Sequence, residues 1–183
     1  MKRHTIIGCF AGVLSLATVS HGQAVPTASR AVGTIQIGLG LTTVSPDYAT
    51  LYAKGISIYG DLDITSHIGA EADVHLASII TPSDIGENTY LIGPRYVFHY
   101  KRVTPYAKAL FGMATIQYQQ GSYGPVGHSA NYGVYAFGGG LDVKATHHIN
   151  VRAFDVEFQK WPDFAPHGLS PIVYTVGVAY VLR

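Results

Sequence analysis

Pairs of carboxylates two residues apart recur along this 183-residue sequence. Because neighbouring side chains in a β-strand point to opposite faces, residues i and i+2 share a face, so each pair presents two carboxylates together. Groups of this kind can line an ion-conducting pore, or they can pair with Arg and Lys in a buried network. The residues of the predicted charge network are Asp61, Asp63, Glu71, Asp73, Arg95, Lys108, Asp142, Asp155 and Glu157, and further candidate cations are Arg152, Lys144 and Arg183.

The segments that would carry these residues alternate between apolar and polar side chains, which is the pattern of a β-strand with two unlike faces. A change of parity in the seventh segment predicts a β-bulge near Arg152. In the fifth segment we expect Lys108, Gly112 and Ala114 on one face, and Ala109, Phe111 and Met113 on the other. The predicted strands cover about 34–42, 56–65, 67–76, 90–100, 104–118, 131–144, 148–160 and 172–183.

The connections between these strands are of two kinds. Those after odd-numbered strands are long and contain Pro, whereas those after even-numbered strands are only a few residues long. In an up-and-down meander the two kinds fall at opposite ends, and closure into a barrel removes the exposed edges of an open sheet. The sequence therefore predicts an all-β fold, an eight-stranded antiparallel up-and-down β-barrel with a long-loop end and a short-turn end.

The overall composition and the residue types on the two strand faces indicate which face of the barrel contacts water. Charged residues make up 13% of the chain, about half the usual fraction, and large apolar residues on one face oppose a face rich in Gly and Ala. That arrangement fits a transmembrane barrel better than a soluble exported barrel, the third-ranked alternative. Aromatic residues predicted to form girdles at two membrane interfaces are Tyr90, Phe98, Tyr100, Tyr106, Tyr118, Tyr132, Phe158, Trp161, Tyr174 and Tyr180.

The N-terminus has the features of an export signal. A basic start, an apolar stretch over 5–20 and small residues at Gly22 and Ala24 predict a signal peptide over 1–24, an N-terminal lead over 25–30 and a barrel domain over 31–183. Ile6 to Cys9 also resembles a lipobox, which would make the chain a lipoprotein. Cleavage after Ala24 would remove the single Cys, so we expect no disulfide in the mature chain.

Several segments resemble the outer-membrane β-barrel domain family of OmpA/OmpX-like and opacity-type surface proteins. They are Tyr90 to Tyr96, Thr104 to Gly112, and Phe137 to Lys144. The resemblance implies a cell outer membrane location, outer-membrane lipids as surroundings, and a monomer. The C-terminal strand is similar to the assembly signal that such proteins show to the barrel assembly machinery, with Gly177, Tyr180 and Leu182 at the matching places, although the last residue is Arg183 and not Phe.

The charged face would then point into a lumen that its own side chains fill. We expect the network to plug this lumen, with Arg95 as the central cation because a planar guanidinium satisfies two carboxylates at once. A narrow cation-preferring channel is the less favoured alternative. The loops at 119–130 and 161–171, with Tyr123, Trp161 and Phe164, could bind an extracellular ligand, or they could simply cap the barrel.

The expected function is that of an integral outer-membrane barrel with a structural or surface-interaction, adhesin-like role. The runner-up function is an outer-membrane enzyme that modifies lipid A or transfers acyl groups, which needs a Ser, a His and a carboxylate together. His75 and the His128–Ser129 pair are the only candidates, and their spacing provides no matching set, so no catalytic residue is predicted. His147 and His148 lack a third ligand nearby, so no metal and no cofactor are expected. A net charge of +1 gives no basic patch for nucleic acid.

Overall fold

The computed structural model describes residues 33–47, 52–77, 85–118 and 128–182. The predicted signal peptide and N-terminal lead lie outside these ranges. No helix within them is long and apolar enough to cross a membrane. The described residues form eight strands, β1 (Thr34–Ser45), β2 (Ala53–Asp63), β3 (Ile68–Leu76), β4 (Ile85–Val97), β5 (Val103–Tyr118), β6 (His128–Lys144), β7 (Ile149–Lys160) and β8 (Ile172–Leu182).

Each strand pairs antiparallel with the next, and β8 returns to pair with β1, so the sheet closes on itself. The closing seam runs from Ile35, opposite Leu182, to Ser45, opposite Ile172. Because closure pairs both edge strands, the barrel has no open sheet edge among its eight strands. The predicted eight-stranded antiparallel up-and-down barrel is confirmed.

The connections divide between the two ends as predicted. Residues 64–67, 98–102 and 145–148 form the short turns, and 46–52, 77–84, 119–127 and 161–171 form the longer connections. Backbone hydrogen bonds tighten the short turns, such as those from the Ile64 and Thr65 amides to the Ile68 carbonyl at 3.0 and 2.9 Å. The barrel therefore has a short-turn end and a long-loop end.

The two faces of the barrel have opposite character. Ile, Leu, Val and aromatic side chains stand exposed around the outside, with Leu39, Ile92 and Met113 each at least 60% exposed. Charged and polar side chains are buried inside. In β5 Lys108 and Ala114 point inward while Phe111 and Met113 point outward, as predicted for that strand. Most of the charged face is thus shielded from bulk water, and the apolar face needs an apolar environment.

A β-bulge in β7 explains why the outward-facing residues fall on odd positions in its first part and on even positions in its second part. Leu141 of β6 pairs with Phe154, but the next residue, Asp142, pairs with Arg152, so Ala153 has no partner across β6. The register with β8 shifts over the same stretch. Ala153 and Phe154 both face outward, which lets Arg152 and Asp155 both point inside. The bulge predicted near Arg152 is confirmed.

Apolar side chains close the long-loop end of the interior. The connection over 161–171 folds into the barrel mouth, where Trp161 is fully buried and exchanges backbone hydrogen bonds with Leu169 at 2.9 and 3.1 Å. We call this cluster the apolar cap. It consists of Leu91, Leu110, Ala114, Ile116, Val134, Ala136, Trp161 and Leu169, with Tyr132 and Phe164 packed against it.

The prediction of the aromatic girdles is wrong for three residues. Trp161 and Tyr132 lie inside the barrel mouth, and Tyr106 lies deeper in the interior, 5% exposed, so none of the three faces outward. Alternation could not separate them from girdle residues, because all three lie near the ends of predicted strands. The Tyr118 side chain falls outside the described part of the structure. Exposed on the outer face, as predicted, are Tyr90, Phe98, Tyr100, Phe158, Tyr174 and Tyr180.

Candidate functional site in the barrel lumen

Six consecutive strands, β2 to β7, send charged side chains into the middle of the barrel. Each member is at most 5% exposed. Six are acidic and three are basic, so acids are in excess. We call this set the lumen charge network. It comprises Asp61, Glu71, Asp73, Arg95, Lys108, Asp142, Arg152, Asp155 and Glu157.

Lys108 makes the largest number of ion pairs in this network. Its ammonium lies 2.7 Å from Asp73 and from Glu157, 2.8 Å from Glu71 and 2.9 Å from Asp155. A single compact cation therefore holds carboxylates from β3 and β7, which lie on different sides of the barrel. Contacts of this length between buried groups are strongly charge-assisted.

The two arginines pair with a second set of carboxylates. Arg95 lies 2.5 Å from both Asp61 and Asp142, and Arg152 lies 3.1 Å from Asp61 and 3.2 Å from Asp142. Glu71 joins the two sets, because it contacts Arg95 at 3.4 Å, Arg152 at 2.9 Å and Lys108 at 2.8 Å. The cationic centre predicted at Arg95 alone is thus shared by three cations around Glu71.

Two tyrosines fill the interior where the barrel wall carries glycine. Any Cβ at Gly38 would lie 2.2 Å from the Tyr59 ring, and one at Gly140 would lie 2.6 Å from the Tyr106 hydroxyl. The rings in turn support the arginines, since the Arg152 guanidinium lies 3.8 Å from the Tyr59 centroid. Glycine at these sites leaves the space that the rings need, and the rings replace solvent around the cations.

The Tyr106 ring provides the second of these supports. The Arg95 guanidinium lies 3.9 Å from its centroid, and its hydroxyl donates a hydrogen bond of 2.5 Å to Asp155. Tyr106 therefore touches both the arginine pairs and a carboxylate that Lys108 holds. Cation–π contacts of desolvated guanidinium groups are among the stronger of their kind.

A chain of hydrogen bonds leads from the network towards the apolar cap. Glu157 lies 3.2 Å from the Nε2 atom of His75 and accepts a 3.2 Å hydrogen bond from the Gln159 amide. The Gln159 carbonyl oxygen accepts a 3.1 Å bond from the Trp161 indole. Trp161 is thus both part of the cap and the last member of the polar chain.

The other end of the lumen is open. A cavity of about 430 Å³ lies at the short-turn end, lined by Asp63, by three histidines of the turns, and by Arg95 and Asp142 of the network. The histidines are His67, His99 and His147. Gln36 and Asn150 lie at its floor, where Asn150 donates a 2.8 Å hydrogen bond to Gln36 and Gln36 donates to Asp61. Solvent can therefore enter from this end as far as Arg95 and Asp142.

The structure brings together eight of the nine residues proposed from sequence for the network. Asp63 differs, because it lies half-buried at the mouth of the cavity and forms no ion pair with the described part of the chain. Of the further candidate cations, Arg152 joins the network and Lys144 is exposed at the cavity, while Arg183 lies outside the described residues. The proposed assembly signal lies on β8, with Gly177 opposite Gly40 and with Tyr180 and Leu182 exposed on the outer face.

The residues considered for catalysis do not form an accessible site. His75 contacts Glu157 and, at 3.5 Å, the Thr42 hydroxyl, and it is 2% exposed. Ser57 lies opposite His75 in the β2–β3 register, yet its hydroxyl makes no hydrogen bond to any described residue. Ser129 is exposed near the long-loop end, and the side chain of His128 falls outside what the structure describes.

Comparisons with known proteins agree with this architecture. The family model for the outer membrane protein beta-barrel domain matches residues 11–181. Among solved structures, Neisserial surface protein A is 13% identical with a TM-score of 0.61, and the match covers 82% of this chain and 97% of that one. A search of curated proteins gives no significant match.

Two further solved barrels have the same fold. OprG of Pseudomonas aeruginosa is 12% identical with a TM-score of 0.56, covering 83% of this chain and 97% of that one. Ail, the attachment invasion locus protein of Yersinia pestis, is 14% identical with a TM-score of 0.52, covering 82% and 97%. At these identities the structural likenesses establish the fold alone.

Proposed function

Because the chain belongs to the outer membrane protein β-barrel domain family, we propose that it is a monomeric barrel of the cell outer membrane whose lumen is closed by its charge network. On this proposal the protein acts through its stable fold and its external surface, and it neither conducts ions nor catalyses a reaction. The apolar outer face supports residence among outer-membrane lipids, since its large side chains are stable only out of water.

The observation that carries the proposal is the set of ion pairs across the lumen. Lys108 and Arg152 connect strands on different sides of the barrel at distances of 2.7 to 3.2 Å. The two tyrosine rings lie against the arginines of the network, and the apolar cap lies at the long-loop end. An ion could pass only by separating these pairs, which costs several kcal/mol for each buried charge left alone.

Planar-bilayer recordings test the closed lumen. Purified, folded barrel inserted at neutral pH is expected to give no resolved unit conductance, because the network and the cap block the route from the open cavity. Insertion is checked independently by the protease protection of reconstituted protein. Steady cation-selective channels from the wild-type protein would contradict the plug and would favour the narrow-channel alternative.

The long-loop end supports a surface-interaction role of the adhesin kind as a second candidate. The 161–171 connection is fixed in place, because the Ser170 amide donates a 2.8 Å hydrogen bond to Asp47 and Lys160 donates a 2.7 Å bond to the Ser170 hydroxyl. Its aromatic residues turn inward, which leaves Pro162, Asp163 and His167 exposed. A preformed loop presents such residues without an ordering cost on binding. The other loop proposed for ligand binding, including Tyr123, lies outside the described residues.

Substitution of the exposed loop residues tests the second candidate. Cells displaying a D163A/H167A variant are expected to adhere to cultured host cells or matrix proteins several-fold less than cells displaying the wild type, with equal barrel levels in the outer membrane. Substitution of Lys101 and Arg102 in the turn at the opposite end is the control and should leave adhesion unchanged. Equal adhesion of all three strains and of cells lacking the protein would contradict an adhesin-like role for this loop.

A further inference from the structure

Polar residues of three neighbouring strands meet at one level of the lumen, between the charge network and the apolar cap. His75 of β3 lies opposite Ser57 of β2 on one side and opposite Thr89 of β4 on the other. All three are at most 4% exposed. Asp73 precedes His75 by two residues and so points into the lumen beside it, and Glu157 approaches from β7.

The donor atoms at this level form a set that fits a metal ion. Asp73, His75 and Glu157 each offer one ligand atom, and these atoms all lie within 4.8 Å of one another. One imidazole nitrogen with two carboxylate oxygens is a ligand set that divalent transition metals accept in proteins. Bonds of about 2.0–2.2 Å would require the side chains to close by roughly 1 Å, which rotamer adjustments can supply.

Several oxygen atoms around this set are left without a hydrogen bond. The Asp73 Oδ1 atom and the hydroxyls of Ser57 and Thr89 have no hydrogen-bond partner within the described ranges. Buried polar atoms are rarely left unsatisfied, because each costs about 1–3 kcal/mol. Tyr59, Asp61, Glu71 and Arg95 have such atoms elsewhere in the lumen, but these three belong to His75's neighbours, and a cation beside His75 would give the Asp73 Oδ1 atom a partner.

Among the ligand atoms of these three residues, Asp73 Oδ1 makes no hydrogen bond to a described residue, and an ion would take the place of the contact between His75 and Glu157. Asp73 uses its other oxygen, Oδ2, for Lys108 at 2.7 Å. Glu157 contacts Lys108 at 2.7 Å through Oε1, His75 at 3.2 Å through the same atom, and Gln159 at 3.2 Å through Oε2. His75 has one further contact, between Nδ1 and the Thr42 hydroxyl at 3.5 Å.

The charges of the network also favour an added cation. The six carboxylates of the network face its three permanently charged cations, Arg95, Lys108 and Arg152. A dication would bring the total positive charge close to the total negative charge of the carboxylates, at a depth where water does not screen the excess negative charge. The Lys108 ammonium opposes the dication by repulsion, but four carboxylates already surround it.

We propose that the lumen binds one divalent transition-metal ion, of which Zn²⁺ is the representative probe, through Asp73, His75 and Glu157. The hydroxyls of Ser57 and Thr89 lie in the surrounding shell and orient the ligands. The site joins β3 to β7 across the lumen and so adds to the ion pairs that Lys108 makes between the same strands. This goes beyond the sequence prediction, which assigned no metal.

The position of the site determines how it is loaded. The apolar cap covers it at the long-loop end, and the charge network separates it from the open cavity at the short-turn end. An ion bound there can neither enter nor leave the folded barrel rapidly. Metal present during folding is therefore expected to be trapped, and chelator added afterwards is expected to remove it slowly.

Refolding of the full barrel domain with Zn²⁺ tests the proposal. After refolding into detergent, chelator washing and gel filtration, elemental analysis is expected to find about one Zn²⁺ per barrel. In H75Q and D73N the retained metal should fall by at least about tenfold. Co²⁺ gives a second readout, since a site with a nitrogen and oxygen ligands produces visible absorption bands that the two variants should lose.

The histidines of the open cavity provide the matched control. An H67Q/H147Q variant keeps the proposed ligands and is expected to retain as much Zn²⁺ as the wild type. Wild-type barrel that is folded, as judged by its gel shift on heating, but retains no metal after refolding with Zn²⁺ or Co²⁺ overturns the proposal. So does metal that is lost in H67Q/H147Q and retained in both H75Q and D73N. The two lumen variants are independent, so failure of one to fold leaves the other as the test.

Discussion

Replacement of Lys108 by Met is expected to destabilise the barrel by at least about 3–5 kcal/mol, the usual cost of removing one partner from a buried ion pair. The ammonium contacts four carboxylates, all within 2.9 Å, and every one of them is at most 2% exposed. Met fills much of the same volume, so the loss arises from charge and not from a cavity. Urea unfolding of the barrel in lipid vesicles measures it.

Lys101 supplies a matched control for this change. It lies exposed in the turn after β4, with its ammonium 5.7 Å from the Tyr100 ring, so K101M should change the unfolding free energy by less than about 0.5 kcal/mol. Addition of D73N to K108M removes one of the uncompensated charges and should recover part of the loss. Equal stability of K108M and wild type would show that the network contributes little to the fold.

Replacement of Trp161 by Ala is expected to cost about 3–5 kcal/mol, the range for deletion of a fully buried aromatic side chain. Trp161 is the single Trp of the sequence and lies at the centre of the apolar cap, stacked on Tyr132 with ring centroids 6.3 Å apart. Its loss also removes the hydrogen bond to Gln159, which connects the cap to Glu157. Far-UV circular dichroism during urea unfolding measures the effect without indole fluorescence.

The conservative variant separates packing from hydrogen bonding. Trp161→Phe retains most of the ring volume but not the N–H group, so we expect a loss of about 1–2 kcal/mol. A Trp161→Ala variant with an unchanged urea midpoint, but faster proteolysis within 161–171, would mean that the cap is a local element. In that case the rest of the barrel would not depend on the cap for its stability.

Most of the barrel could be predicted from the sequence because the two faces of each strand differ so strongly. Alternation over a whole strand fixes which side chains share a face, and a slip of one residue would turn every charged group of that strand outward. This is why the inward positions of Lys108 in β5 and of Asp142 in β6 followed from pattern alone. The same argument located the β7 bulge, since only an extra residue allows both Val151 and Phe154 to face outward.

Positions along the barrel axis could not be predicted in this way. Alternation does not say which residues of different strands lie at the same level, because that depends on the register around the closed sheet. Asp63 shares a face with Asp61 but lies one step nearer the mouth, where it lines the open cavity and forms no ion pair with a described residue. The inward turn of Trp161 depends on contacts with Tyr132 and Val134, which are distant in sequence.

The bulge in β7 makes that strand unequal in its tolerance of length changes. Deletion of Ala153 would leave Arg152 and Asp155 on the inner face, because one outward residue would then separate them where two do now. In contrast, deletion of a single residue between Asp155 and Lys160 would exchange inward-facing and outward-facing side chains on one side of the deletion. A charged or amide side chain would then face lipid. Between Asp155 and Lys160, only insertions or deletions of two residues keep the inward and outward faces of the strand unchanged during evolution. At the bulge, one residue can be deleted without changing which side chains of the strand face the lumen.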